Sequence, residues 1–463
     1  MKTRILSGAA IGALALAALV APMAAQAAPG DAELSVVHGI PGTTVDVWVN
    51  GKLTLNDFTP GTVAGPLALA AGTYSVAITP SNATSATDRT IIGPVDLPLA
   101  ANMNYTAVAH LKADGKPTAT LFTNDISKTA PGQGRLTVRH VAAAPAVDVV
   151  AGGAAVVSNL TNPNEKVLNL AAGTVSASVT ATGTLTPALI GPADVAIKEG
   201  VNTIVYAYGS ATAPSTLALA VQTISGLHTP PAGVPTGETG AAAQAIATQN
   251  AQQGWSLGVG GLVVLAVAVL TGCTAPAVNA ATYHVTPTPQ PLPTAVGPAI
   301  PRTDGRLSAQ DMHPTIAPVH ISIPAASVDM EVVPQGLAKD GQMAVPANSH
   351  IAGWYEFGPG PKSANGTTVI VAHIDARIGG IGPFSRIKDL PAGSPLAVQA
   401  GDGSVQNYVT TAVEEFAKAG APMSAYFDRA GAARLVLITC GGQFNSATGH
   451  YLDNIAVIAT PQP

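Results

Sequence analysis

Leu435-Val436-Leu437-Ile438-Thr439-Cys440-Gly441-Gly442 is a run of aliphatic and β-branched residues that ends on a thiol. A second run of the same kind, Thr367-Thr368-Val369-Ile370-Val371-Ala372-His373-Ile374-Asp375, ends on an imidazole. Short apolar runs bounded by glycine or polar residues have the pattern of buried strands, so Cys440 and His373 are both expected at strand ends. Cysteine attacks as its thiolate. A free thiol with a pKa of about 8.5 is mostly protonated at neutral pH, so a nucleophilic Cys needs a base or cation such as His beside it. A single Cys closing an apolar strand is more often inert core.

Further blocks accompany these two runs: Ile323-Pro324-Ala325 with Val328-Asp329, Val345-Pro346, Ala352-Gly353-Trp354-Tyr355, and Gly449-His450-Tyr451 with Asp453-Asn454. Together and in this order they resemble a sortase of the actinobacterial class F type, over about Pro318 to Ala459. The resemblance implies a closed, mostly antiparallel β-barrel and a cysteine transpeptidase that cuts a Leu-Pro-x-Thr-Gly-like sorting motif and passes the acyl group to a cell-wall or pilin amine. Cys440 matches the family's nucleophile and His373 its imidazole partner; neither cofactor nor metal is implied. The family also uses an arginine, usually on the strand after the cysteine. Here that position is Leu452, and no arginine follows Cys440. Loss of one oxyanion donor typically costs on the order of 10²–10³ in rate. Candidate replacements are Arg434, Arg377, Arg386 and Arg429 as cations, with Asn454 and the N–H groups of Gly441 and Gly442 as neutral donors.

The chain of 463 residues is long enough for two or three domains. Only 10% of residues are charged and the net charge is -5, which offers no basic patch for nucleic acid. Lys2 and Arg4, the apolar run Ile5 to Val20 and the small-x-small triplet Ala25-Gln26-Ala27 read as a secretory signal peptide over residues 1–27. The expected location is therefore extracytoplasmic, at the cell envelope.

From Glu33 to Ile224 alternating runs such as Val45-Asp46-Val47-Trp48-Val49 predict strand after strand. The stretch is also repeated internally: His38 to Gly51 aligns with His140 to Gly153, and Leu67 to Thr79 with Leu168 to Thr180. Two Ig-like β-sandwiches, residues 31–130 and 134–226, are the simplest expectation. This half resembles a repeat domain of unknown function in bacterial and archaeal surface proteins. Equivalent histidines, His38 and His140, and aspartates, Asp46 and Asp148, could form a repeated metal or proton site, but a duplicated fold repeats its structural residues as well, and no metal is expected there.

Residues 227–254 read as a linker containing Val234-Pro235-Thr236-Gly237-Glu238-Thr239-Gly240, which is loosely similar to a sorting motif with the residue order altered. The apolar run 255–272 reaches the lower length limit of a transmembrane helix. It ends in Leu270-Thr271-Gly272-Cys273, which resembles the lipobox that directs lipidation of a cysteine. Residues 273–312 form a Pro/Thr-rich linker, and 313–463 the sortase-like domain. A spanning helix would leave the last domain on the cytoplasmic side unless the helix is translocated, the chain is cut near Cys273, or the reading frame joins two neighbouring genes. Two function classes follow: an envelope transpeptidase, or a non-catalytic surface or adhesive protein carrying a degenerate sortase-like domain.

Overall fold

The computed structural model describes residues 30–245, 300–309 and 315–462. The signal-peptide segment 1–27, the apolar run 255–272 and Cys273 lie outside the described residues. Among the described residues no helix is long and apolar enough to cross a membrane.

The first half is built from sixteen strands: β1 (Ala32–His38), β2 (Val45–Val49), β3 (Lys52–Phe58), β4 (Thr62–Leu69), β5 (Gly72–Pro80), β6 (Ile92–Leu99), β7 (Asn104–Leu111), β8 (Pro117–Thr123), β9 (Gln133–His140), β10 (Val147–Ala151), β11 (Ala154–Leu160), β12 (Glu165–Ala171), β13 (Gly173–Ala181), β14 (Ala188–Ile197), β15 (Asn202–Ser210) and β16 (Ala213–Ile224). Strand order is duplicated along with the sequence. Sheets β4-β1-β7-β8 and β3-β2-β5-β6 recur as β12-β9-β15-β16 and β11-β10-β13-β14. Each unit encloses its own apolar core, around Leu34, Val47 and Phe58 in one and Leu136, Val149 and Ile197 in the other. The pairs β1/β7 and β9/β15 are parallel, a departure from the all-antiparallel sheets expected of an Ig sandwich. Parallel neighbours need a crossover, and here the chain crosses by passing through the opposite sheet.

The repeated polar residues do repeated structural work. His38 donates from Nε2 to the Thr43 carbonyl at 2.8 Å and accepts at Nδ1 from the Ile40 N–H; His140 does the same with Pro145 and Ala142. Asp46 and Asp148 each accept a backbone N–H, from Asp57 and Asn159. No cluster of metal-ligating side chains occurs among the described residues.

Because Nδ1 must accept, each imidazole is held neutral; burial lowers the His38 pKa to about 4 despite the opposing bond to Thr43, and lowers that of His140. Between the unfolded value of about 6.5 and about 4 the unfolded chain binds the extra proton, so stability is fully present above that window and is lost as pH falls through it. For His38 the loss should be on the order of 3 kcal/mol, and a His38→Gln chain should show a flatter stability profile in urea titrations between pH 7 and 4.

After the sandwiches come β17 (Arg302–Asp304), β18 (Pro318–Ile323), β19 (Val328–Gln335), β20 (Ile351–Tyr355), β21 (Thr367–Val371), β22 (Asp375–Ala376), β23 (Gly380–Ile381), β24 (Pro395–Ala400), β25 (Val405–Ala417), β26 (Arg434–Asn445) and β27 (His450–Pro461). Part of the stretch expected to be free linker is structured. β17 extends the first sandwich by pairing with β4, and Gly305 bonds to Val221 of the second. The described part of 227–254 is likewise not free, for Ala232 and Gly233 hydrogen-bond to Gly341 and Met343 beside the barrel.

The barrel closes in the order β18-β19-β20-β21-β26-β27-β25-β24. All neighbours are antiparallel except β19/β20 and β21/β26. Eight strands leave an interior that side chains can fill. Alternation along each strand divides the residues between two faces. Ile370 and Ala372 of β21 and its extension, Leu435 and Leu437 of β26, and Val457 and Ala459 of β27 pack with Trp354 inside. Val369, Val371, Val436, Ile438 and Ala456 point outward into a second cluster with Val234, Met343, Tyr355, Met423 and Phe427. Both faces of β21 and β26 are therefore buried, which is why their sequences read as unbroken apolar runs.

Candidate active site

The same alternation decides where the chemistry faces. Cys440 follows Val436 and Ile438 on the outer side of the wall, and His373 follows Val369 and Val371. The parallel ladder sets Val371 opposite Ile438, so two residues on His373 comes level with Cys440. The end of this wall is fastened by Thr439, whose hydroxyl points the other way and donates to the Ala372 carbonyl at 2.9 Å.

Across the antiparallel side, Cys440 is paired with Asn454 of β27, and Asn454 with Phe416 of β25. Two residues beyond that row, on the same face, Lys418 lies beside Leu452, its N–H donating to the Leu452 carbonyl at 3.1 Å. Lys418 Nζ reaches Cys440 Sγ at 3.0 Å. Asn454 is buried with its Oδ1 unpartnered among the described residues.

The cleft is filled by the chain's own residues 234–243. Val234 is buried in the outer apolar cluster. Thr236, fully buried, donates from Oγ1 to Cys440 Sγ at 3.3 Å, while its carbonyl accepts from the Ile374 N–H at 2.9 Å. Glu238 brings a carboxylate oxygen to 3.9 Å from His373 Nε2. Asp375 accepts the N–H groups of Glu238, Thr239 and Ala242 and the Tyr451 hydroxyl, the last at 2.5 Å. Tyr451 Oη in turn accepts the Ala243 N–H. Two glycines make the fit possible. A Cβ at Gly237 would stand 2.7 Å from Tyr451 Cδ2 and 3.0 Å from Cys440 Sγ, and one at Gly240, where φ is +71°, 2.5 Å from Phe444 Cδ1.

Burial under this segment sets the protonation states. It pushes the Cys440 thiol up, against the opposing pull of Lys418 and Thr236, and pushes the His373 imidazole down, against Glu238, the Thr236 carbonyl and Asp375. Burial also works to raise the Asp375 carboxyl, but the Tyr451 hydroxyl and the N–H groups of Ala242 and Thr239 outweigh it, and its pKa is lowered. A thiol and a neutral imidazole face the segment together.

Not every sequence candidate is here. Arg434 starts β26, six residues before Cys440, with its guanidinium tied to Thr367 Oγ1 and the Ala425 carbonyl; Cys440 itself lies within the strand, which runs on to Asn445, and not at its end as expected. At about 3.3 Å per residue Arg434 is roughly 20 Å away and is no donor to this site. Arg377 is exposed in the turn between β22 and β23, and no contact joins it to Cys440 among the described residues. Arg386 binds the Ala326 and Ser327 carbonyls, and Arg429 pairs with Glu199 of the second sandwich at 2.5 Å. The cation at the thiol is Lys418, missed because it stands 22 positions before Cys440 in a region with no motif. Its signal was its cross-strand position beside Leu452, which no linear spacing displays.

Comparison with known proteins places two regions. A family described as "Sortase domain" matches residues 321–462, and "Domain of unknown function (DUF4397)" matches 32–150. The C-terminal region therefore carries a sortase domain. Similar solved structures include sortase C-1 of Streptococcus pneumoniae, 21% identical, with 31% of this chain and 66% of that one covered and a TM-score of 0.25. The pilus-related sortase C of Group B Streptococcus is 18% identical over 34% of this chain and 72% of its own, also at a TM-score of 0.25. Sortase C-1 of Actinomyces oris is 16% identical over 31% and 73%, again at 0.25. The chain spans just under two thirds of the length of the pneumococcal protein. No curated protein matches it.

Proposed function

We propose that the C-terminal barrel is a class F sortase-type cysteine transpeptidase, which cuts a Leu-Pro-x-Thr-Gly-like motif in surface proteins and joins the threonine carbonyl to an envelope amine. The observation that carries this is the grip on a single threonine. Thr236 has its hydroxyl on Cys440 Sγ and its carbonyl on the Ile374 N–H, next to His373. A cleft that holds a threonine in this way has its nucleophile, acid/base and one carbonyl donor around one peptide unit. Cys440 attacks, His373 protonates the departing amine, the Ile374 N–H polarises the carbonyl, and Lys418 holds the thiolate charge. We divide the chain into a signal peptide, sandwiches at 31–130 and 134–226, and this domain, with export to the envelope and membrane attachment through residues 255–272 or a lipid on Cys273.

Leu452 is the observation that favours the other reading, a degenerate domain on a surface protein, and Lys418 is what counters it. Incubating the full chain, and a Gly237→Ala variant whose cleft segment no longer fits, with excess Leu-Pro-x-Thr-Gly peptide should give a thioacyl adduct on Cys440 by mass spectrometry. Absence of adduct from both proteins would favour the surface-protein reading.

A further inference from the structure

The cleft segment contains Val234-Pro235-Thr236-Gly237, which is loosely similar to a sorting motif, with Val in place of Leu and no residue between Pro and Thr, and it is held at most of its positions. Gly233 and Ala232 bond to the Met343 and Gly341 backbone, Val234 fills an apolar pocket with Met343, Val371 and Ile438, and Thr236 sits on Cys440 and Ile374. Beyond it, three N–H groups converge on Asp375, and Gly237 and Gly240 approach the wall too closely for any side chain. An adventitious loop has no reason to satisfy so many directional groups and to place two of its glycines at the two closest approaches.

We propose that residues 232–243 are a substrate in cis, and that the bond this chain cuts in itself is Thr236–Gly237. The inference rests on the transpeptidase activity proposed above. In the step, Cys440 Sγ bonds to the Thr236 carbonyl carbon and its proton passes to His373. The C–N bond to Gly237 breaks, His373 returns the proton to the departing nitrogen, and Gly237 becomes a free amino terminus. The thioester then passes to a primary amine, which loses one proton as the amide forms and Cys440 regains its thiol. The sandwiches leave joined through Thr236 to that amine, and the barrel, starting at Gly237, is left with an open cleft for sorting motifs in trans. Until the cut, the segment also keeps the site filled.

The experiment uses the full chain with triglycine as the amine, read by intact-mass and amino-terminal analysis. Expected are a fragment ending at Thr236 with triglycine attached and a second fragment, residues 237–463, beginning at Gly237. Neither should form from Cys440→Ala. Gly237→Ala should cut on the order of 10²-fold more slowly, since displacements near 1 Å at a reacting centre cost about that much. The same variant is then given the Leu-Pro-x-Thr-Gly peptide. If wild-type chain stays whole while Gly237→Ala forms the thioacyl adduct, the barrel is a transpeptidase and the cis-substrate proposal is overturned. If neither protein forms an acyl-enzyme or fragments, both proposals fall. Cutting at another bond also overturns it.

Discussion

Cys440→Ala should lose acyl-enzyme formation completely, and His373→Ala should lose nearly all of it, with peptide affinity changed little in either. The two side chains meet the same threonine, from its hydroxyl and its carbonyl sides. Groups that work as a unit show such non-additive losses, so the double variant should be no slower than Cys440→Ala alone. The pH profile is the second readout. With the cleft filled, burial holds Cys440 as a thiol and His373 neutral. Opening the cleft removes the burial that raises the one and lowers the other, so the thiol pKa should fall and the imidazole pKa should rise. Iodoacetamide should therefore alkylate Cys440 in Gly237→Ala far faster than in the intact chain. Equal rates in the two proteins would mean the segment does not cover the thiol in solution.

How much of this was legible beforehand depended on whether the information was local. The unbroken apolar runs ending at Cys440 and His373 mark strands buried on both faces, and the period of two puts Cys440 on a face with Val436 and Ile438 and His373 on a face with Val369 and Val371; that the two faces are one came from the resemblance and from the β21/β26 ladder, not from the pattern. The duplication of His38 with His140 and Asp46 with Asp148 was plain in the sequence, and their bonds to Thr43, Pro145, Asp57 and Asn159 show that it records a repeated turn. What could not be read was pairing across strands. Lys418 reaches Cys440 only because β25 lies against β27 in a register that puts Phe416 beside Asn454. Val234 to Gly240 likewise looked like linker because its Pro and Gly content is that of a linker. A composition that permits close approach serves a peptide held in a cleft as well as one free in solvent, and only the partners tell them apart.

Lys418→Met should lower turnover by about 10²–10³, the cost typical of removing one charge-stabilising donor. The methionine keeps the apolar stem while deleting the ammonium that stands 3.0 Å from Cys440 Sγ. Deletion should also move the acidic limb of the pH profile upward, because the Lys418 charge is what opposes the burial that raises the thiol pKa. Leu452→Arg supplies the decisive comparison. Leu452 is half exposed on the same face, directly beside Lys418 across the β25/β27 ladder, so an arginine there can reach the space Lys418 occupies. In the wild-type background the second cation should add little or slow the enzyme through like-charge repulsion. In the Lys418→Met background it should restore a large part of the lost rate and return the pH limb toward its original position. Such rescue identifies a charge that has moved from one strand to its neighbour, and no merely structural role of Lys418 predicts it. If Lys418→Met turns over at the wild-type rate, or if Leu452→Arg accelerates both backgrounds equally, Lys418 does not fill the role of the absent arginine.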